Sequence, residues 1–175
     1  MERLGAILER EGELLDTLLF KLVETQLLLQ AGETRFLSRA TREVERVRTR
    51  TREVDLMRAT TVGQVDHRRP TTTLRELAAS ASEPWPGILR DHHDRLTRLV
   101  SEIEVVAHQN ADAARSGLDA LRATRVMASV SAGGPEATRP DGNGELARLA
   151  CGASYEAVLG IASRLRMPDL LTFLR

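Results

Sequence analysis

The residues best suited to chemistry stand together in "LRDHHDRL", Leu89 to Leu96, where two histidines lie between two aspartates. Histidine and carboxylate are metal ligands and partners in proton transfer. The spacing works against both uses. Neighbours on a helix diverge by about 100°, so His92 and His93 cannot turn to one ion. Asp91 and Asp94 share a face with each other, but the HExxH spacing of a helical zinc site is absent. The other histidines, His67 and His108, have no cysteine or second histidine at ligand spacing. Cys151 is the single cysteine, which excludes an internal disulfide and a thiolate metal cluster. "GGPEATRPDGNG" lacks the strand before it and the Lys-Ser/Thr after it that a phosphate loop requires. No nucleophile has a plausible base. The expectation is a protein without catalysis, metal or cofactor.

A second cluster is cationic. Arg39 to Arg58 holds seven arginines, a density that invites nucleic acid. Glu43, Glu45, Glu53 and Asp55 interleave with them, and no aromatic stands by to stack on a base. Over the chain 25 basic residues balance 25 acidic ones, leaving no general field for nucleic acid or an anionic membrane. A solvated, salt-bridged helix face is the better reading.

What must position these residues is helical. Aromatics are only 3% of the chain, against 42% hydrophobic and 29% charged residues, a balance that suits long helices burying narrow aliphatic stripes. From Glu2 to Ala31, Leu4, Leu8, Leu15, Leu18, Leu22 and Leu29 recur in three- and four-residue steps, with one gap at Glu11. Gly32 ends that helix. From Glu33 to about Asp66 the same step runs through Leu37, Ala40, Val44, Val47, Thr51 and Val54. Two such helices with one glycine between them fold back as an antiparallel hairpin. Pro70 breaks the pattern, and Thr73 with Glu76 three residues on predicts a capping box for a short helix. "SEPWPGIL" starts a third long helix, Pro84 to about Ser131, with the stripe Leu89, His92, Leu96, Leu99, Ile103, Val106, Asn110, Ala113 and Gly117. On that reading His92 is a seam residue and His93 points elsewhere. Asn110 on the seam either fixes register or bonds a partner's backbone.

After the third helix, residues 132–144 read as a flexible Gly/Pro linker. Residues 145–175 are amphipathic again, with Leu146, Leu149, Tyr155, Val158, Leu159, Ala162 and Leu165 as the apolar side of a helix. That helix begins at Gly144 or Glu145, or only at Ser154 if Gly152 breaks it. Pro168 interrupts it, and Asp169 can cap a new turn. The fold class is therefore all-α: a long antiparallel hairpin, a third long helix, and a C-terminal segment docked on this coiled-coil-like bundle. Its groove is expected at Leu96, Leu99, Ile103, Val106, Asn110 and the first helix. Tyr155, Val158, Leu159, Leu165, Leu170, Leu171, Phe173 and Leu174 are expected as anchors. A linker of about 14 residues reaches some 20 Å and holds the tail near millimolar effective concentration, which also permits a tail-swapped homodimer. "MERLGAILEREGELL" has acids where a signal peptide needs a basic then apolar run, and "LLFKLVETQLLLQ" is too short and too charged to span a bilayer. The cytoplasm is the expected compartment.

Two stretches, "LGAILEREGELLDTLLFKLVETQLLLQAGETRFLSRATREVERV" and "LRELAASASEPWPGILRDHHDRLTRLVSEIEVVAHQN", resemble the FlgN family of flagellar type III export chaperones. The resemblance covers roughly residues 4–130 and departs after Asn110, where such chaperones usually carry leucines and this chain has "ADAARSGL". It implies a cytoplasmic helical chaperone that holds the C-terminal amphipathic helix of the hook–filament junction proteins, FlgK and FlgL, and delivers them to the flagellar export gate. "ASYEAVLGIASRLRMPDLLTFLR" is similar instead to the C-terminus of FlgL, which implies a client tail joined to its chaperone in one chain. The other reading is a native tail that folds onto its own groove. A structural coiled-coil or adaptor protein with no client is the rival class.

Overall fold

Residues 1–65, 72–131 and 142–175 are described in a computed structural model of the chain. Among the described residues six helices follow in order: α1 (Glu2–Gln30), α2 (Thr34–Val65), α3 (Leu74–Ser80), α4 (Trp85–Ser131), α5 (Gly142–Arg164) and α6 (Pro168–Leu174). Among the described residues there is no strand, and the architecture is the expected all-α bundle.

The hairpin is antiparallel, with Lys21 paired to Glu43 at 2.6 Å near the turn and Glu11 facing Arg58 further along. Gly32 makes the turn at φ 70°, a left-handed backbone that a Cβ would strain. Every seam residue expected on α2, from Leu37 to Val54, is buried, as are Leu4, Leu8, Leu15, Leu18 and Leu22 of α1. The break at Pro70 lies outside the described residues. Thr73 does cap α3: its hydroxyl accepts from the Glu76 backbone while the Glu76 carboxylate accepts from the Thr73 N–H.

At 47 residues, α4 is an unbroken rod of about 70 Å. It runs parallel to α1. Arg95 bridges Glu9 at 2.7 Å and Asp16 at 2.8 Å, and the Asn110 side-chain amide donates to the Leu22 carbonyl at 2.9 Å. That bond makes Asn110 a register pin between α1 and α4. Because Leu22 stands level with Asn110, α1 ends near the level of Gly117, and the last turns of α4 continue beyond the hairpin.

The histidine assignment needs correction. His93 is the buried one, 8% exposed, while His92 is half-buried and faces Glu9 of α1 at 3.9 Å. Helix α4 is wrapped on two sides, so adjacent residues both turn inward, one to α1 and one to α3 and α6. A single-stripe reading could not anticipate that.

Candidate functional site

The side chains that could do recognition are gathered where α5 and α6 lie in the body. Helix α5 sits between α2 and α4, parallel to the first and antiparallel to the second. Ser154 Oγ lies 3.2 Å from Ser38 Oγ, Arg48 donates to the Arg164 carbonyl at 3.4 Å, and the Tyr155 ring stands over Gly117. A guanidinium at the last carbonyl of α5 complements the negative end of the helix. Ser154, a candidate start for this helix, is interior instead and returns its hydroxyl to the Ala150 carbonyl. The helix begins at Gly142, inside the stretch expected as linker; residues 132–141 of that linker lie outside the described residues.

Burial divides α5. Val158, Ile161 and Leu165 are at most 6% exposed, with Tyr155, Leu159 and Ala162 half-buried beside them. Leu146 and Leu149, expected on the same apolar side, are 65% exposed. They stand beyond the hairpin turn, where only α4 is opposite. Ile161 went unnoticed in the sequence and is a core residue.

Of the residues expected to edge the groove, Leu96, Leu99, Ile103 and Asn110 are buried and Val106 is half-buried. The α4 column that meets α5 is made of smaller side chains: Ala107, Ala111, Ala114 and Gly117. A Cβ at position 117 would drive into the Tyr155 ring. The "ADAARSGL" departure therefore has a physical use, because small residues let a helix bearing Tyr155, Val158 and Leu159 approach closely.

Pro168 cannot continue α5, and Met167 takes φ −117° and ψ 64° before it. Met167 is the N-cap of α6 and no side chain caps that turn, so Asp169 lies in the first turn without the expected capping role. Leu170, Phe173 and Leu174 are buried, at 2%, 6% and 6%. Leu171 is 36% exposed, since one short helix turns only one side to the body. The ring of His93 places Nε2 2.9 Å from the Leu174 carbonyl and 3.1 Å from Arg75 Nε. The two contacts exclude each other within one tautomer. An Nε2–H donates to the carbonyl, whereas the tautomer whose Nδ1–H donates to Asp94 Oδ1 at 2.9 Å leaves a bare Nε2 that accepts from Arg75. The first arrangement satisfies an orphan helix-end carbonyl, and the second serves Asp94 and Arg75 together.

The least expected feature lies under Phe173. Arg58, 3% exposed, stands with its guanidinium carbon 4.2 Å from the ring centroid. Its Nε lies 3.3 Å from Oε1 of Glu11, to which it donates, and 3.1 Å from Oε2; its Nη2 donates to Asp55. Glu11 is fully buried, and Oε2 has no hydrogen-bond partner. Burial pushes the Glu11 carboxyl up to about 7 and Asp55 adds to that, against the pull of Arg58. Both residues were visible as spacing. Glu11 fills the gap in the α1 stripe, and Arg58 is the next seam position after Val54. Opposite charges on facing seams were the signal, and reading Arg58 as one more solvated arginine missed it. Arg39, Arg42, Arg46, Arg50 and Arg52 are indeed exposed, while Arg48 is half-buried.

Among the described residues no group of three or more His, Cys, Asp or Glu could hold a metal. No helix there is long and apolar enough to cross a membrane. The model of the FlgN protein family matches residues 1–138. The chain belongs to the FlgN family. No curated protein and no solved structure matches it. FlgN proteins are flagellar export chaperones that bind hook-associated proteins, and the family is not an enzyme family. The match includes all of α1 to α4 and ends before α5.

Proposed function

We propose that the groove between α2 and α4 is the client site of this chaperone, and that it takes the C-terminal amphipathic helices of the hook–filament junction proteins FlgK and FlgL in the cytoplasm before they pass to the export gate. The observation that carries this reading is the occupancy of the groove. The last turns of α5 lie along it, and after a proline break the short apolar turn α6 packs against α3 and α4; both lie outside the family match, with Val158, Ile161, Leu170, Phe173 and Leu174 buried. The tail acts as a client held in the same chain, which is what the resemblance drawn from its sequence implies. Client capture then requires the tail to leave or to swap to a second copy.

A docked helix suits this job physically. Its energy comes from buried aliphatic side chains, which bind without fine geometry. The test uses the full chain with Leu170→Asp and Leu174→Asp, which empties the α6 end of the groove. Calorimetry against a FlgL C-terminal peptide is expected to show micromolar or tighter binding to this variant, and at least tenfold weaker binding to the parent, whose tail competes at high effective concentration. No binding to the variant would favour the clientless adaptor.

A further inference from the structure

Elsewhere along the hairpin, the buried seam positions of α1 and α2 carry leucine, valine, alanine or threonine, and a buried Glu–Arg pair is a poor replacement for stability. The carboxylate oxygen Oε2 is left without a donor, and the guanidinium lies almost wholly out of water. What the arrangement does provide is orientation. Glu11 from α1 and Asp55 from α2 hold the guanidinium by its nitrogens, leaving it over the ring of Phe173. The other two phenylalanines differ. Phe20 and Phe36 are 63% and 45% exposed and meet the cation next to them in sequence, Lys21 and Arg35. Phe173 meets a cation from another helix in a desolvated place, where a cation–ring contact is strongest.

From this we infer that Glu11 and Arg58 form a specificity subsite of the groove, which selects an aromatic side chain on the terminal apolar turn of the helix that docks there. An occupant with leucine at that place buries similar apolar area but leaves the guanidinium facing an alkyl group that returns no electrostatic attraction. The subsite rests on the reading of the groove as a client site. It adds the class of client preferred: an amphipathic terminus ending in an apolar pair, a spacer and an aromatic, as in Leu170 to Phe173. Asp55 is a positioning residue, acting only through Arg58.

The test is a cycle in the full chain. Amide hydrogen exchange in α6 is measured for the parent, Phe173→Leu, the pair Glu11→Leu with Arg58→Met, and all three changes together. Replacing both charges by apolar groups preserves the fold better than removing one. Phe173→Leu is expected to speed α6 opening about 20-fold in the parent, equivalent to about 1.8 kcal/mol. In the background lacking the pair the rise is expected to stay below about 3-fold. Equal rises in both backgrounds overturn the subsite. If the leucine–methionine pair unfolds, Glu11→Gln with Arg58→Met gives the same cycle. Peptides of residues 142–175, with Phe173 or with Phe173→Leu, are then titrated into the Leu170→Asp, Leu174→Asp chain. No binding of either peptide sinks the groove reading, while the cycle still decides the contact between Arg58 and Phe173. Equal affinity of both peptides sinks the subsite and leaves the groove reading standing.

Discussion

Leu146 and Leu149 in the first turns of α5 are each 65% exposed, whereas Val158 and Ile161 in its last turns, and Leu165 just after it, are at most 6% exposed. The two halves carry similar side chains on one continuous helix. What differs is the neighbourhood: α1 and α2 stand behind the second half, and only the far end of α4 stands beside the first. An amphipathic pattern states which side of a helix can be buried. Whether it is buried depends on the length of the partners, and the hairpin turn at Gly32 sets that limit here.

The comparison breaks most completely if α6 is released. Leu170→Asp with Leu174→Asp is expected to destabilise the chain by several kcal/mol, since each buried leucine is worth about 1.5–3 kcal/mol before a charge is placed in its site. The check is a fall in melting temperature together with loss of amide protection in α6. Unchanged values for both would mean that the tail is not docked. Next in size is the pH response of the cradle beneath Phe173. The folded Glu11 carboxyl titrates near 7 and its ordinary value is 4.5, so the folded chain keeps a proton that the unfolded chain has released between those values. The stability this contributes is complete below about pH 4.5 and lost as pH rises through 7, by on the order of 3 kcal/mol at most. Denaturant titrations from pH 4.5 to 8 should show that decline, and Glu11→Gln should flatten it.

Gly117→Ala comes third. A methyl group under Tyr155 should cost about 1–3 kcal/mol, and Tyr155→Ala should remove most of that penalty in a double-mutant cycle. Additive effects would mean that α5 does not press on α4 there. Smallest of all is Leu146→Asp with Leu149→Asp, expected to stay within about 0.5 kcal/mol by chemical unfolding. A loss comparable to that of the α6 variant would show the two halves of α5 to be equally buried, and the contrast would collapse.

Much of the fold was legible because period and punctuation agree in this chain. The seam from Leu37 to Val54, the turn at Gly32 and the capping box at Thr73 each rest on local rules that tertiary packing did not override. The inward turn of His93 beside His92 was not legible, because α4 is covered from two directions and a helical stripe describes one. Arg58 was hidden by its company: five of the other six arginines in its stretch are solvated, and composition outweighed position. The exposure of Leu146 and Leu149 depends on where a different helix ends, which no pattern within residues 145–175 contains.

The parallel course of α1 and α4 also has a kinetic consequence during synthesis. The contacts within α1, α2 and α4 need no residue of α5 or α6, and the tail's contacts join residues far apart in sequence, such as His93 with Leu174. At roughly 5–20 residues per second, translation leaves the groove without its own tail for seconds. On the proposed reading of the groove, a client in that window competes with a vacancy and not with a tethered rival. Pulse-labelled chains still on the ribosome should therefore capture a FlgL C-terminal peptide more readily than finished ones, which makes nascent-chain age a variable in client loading.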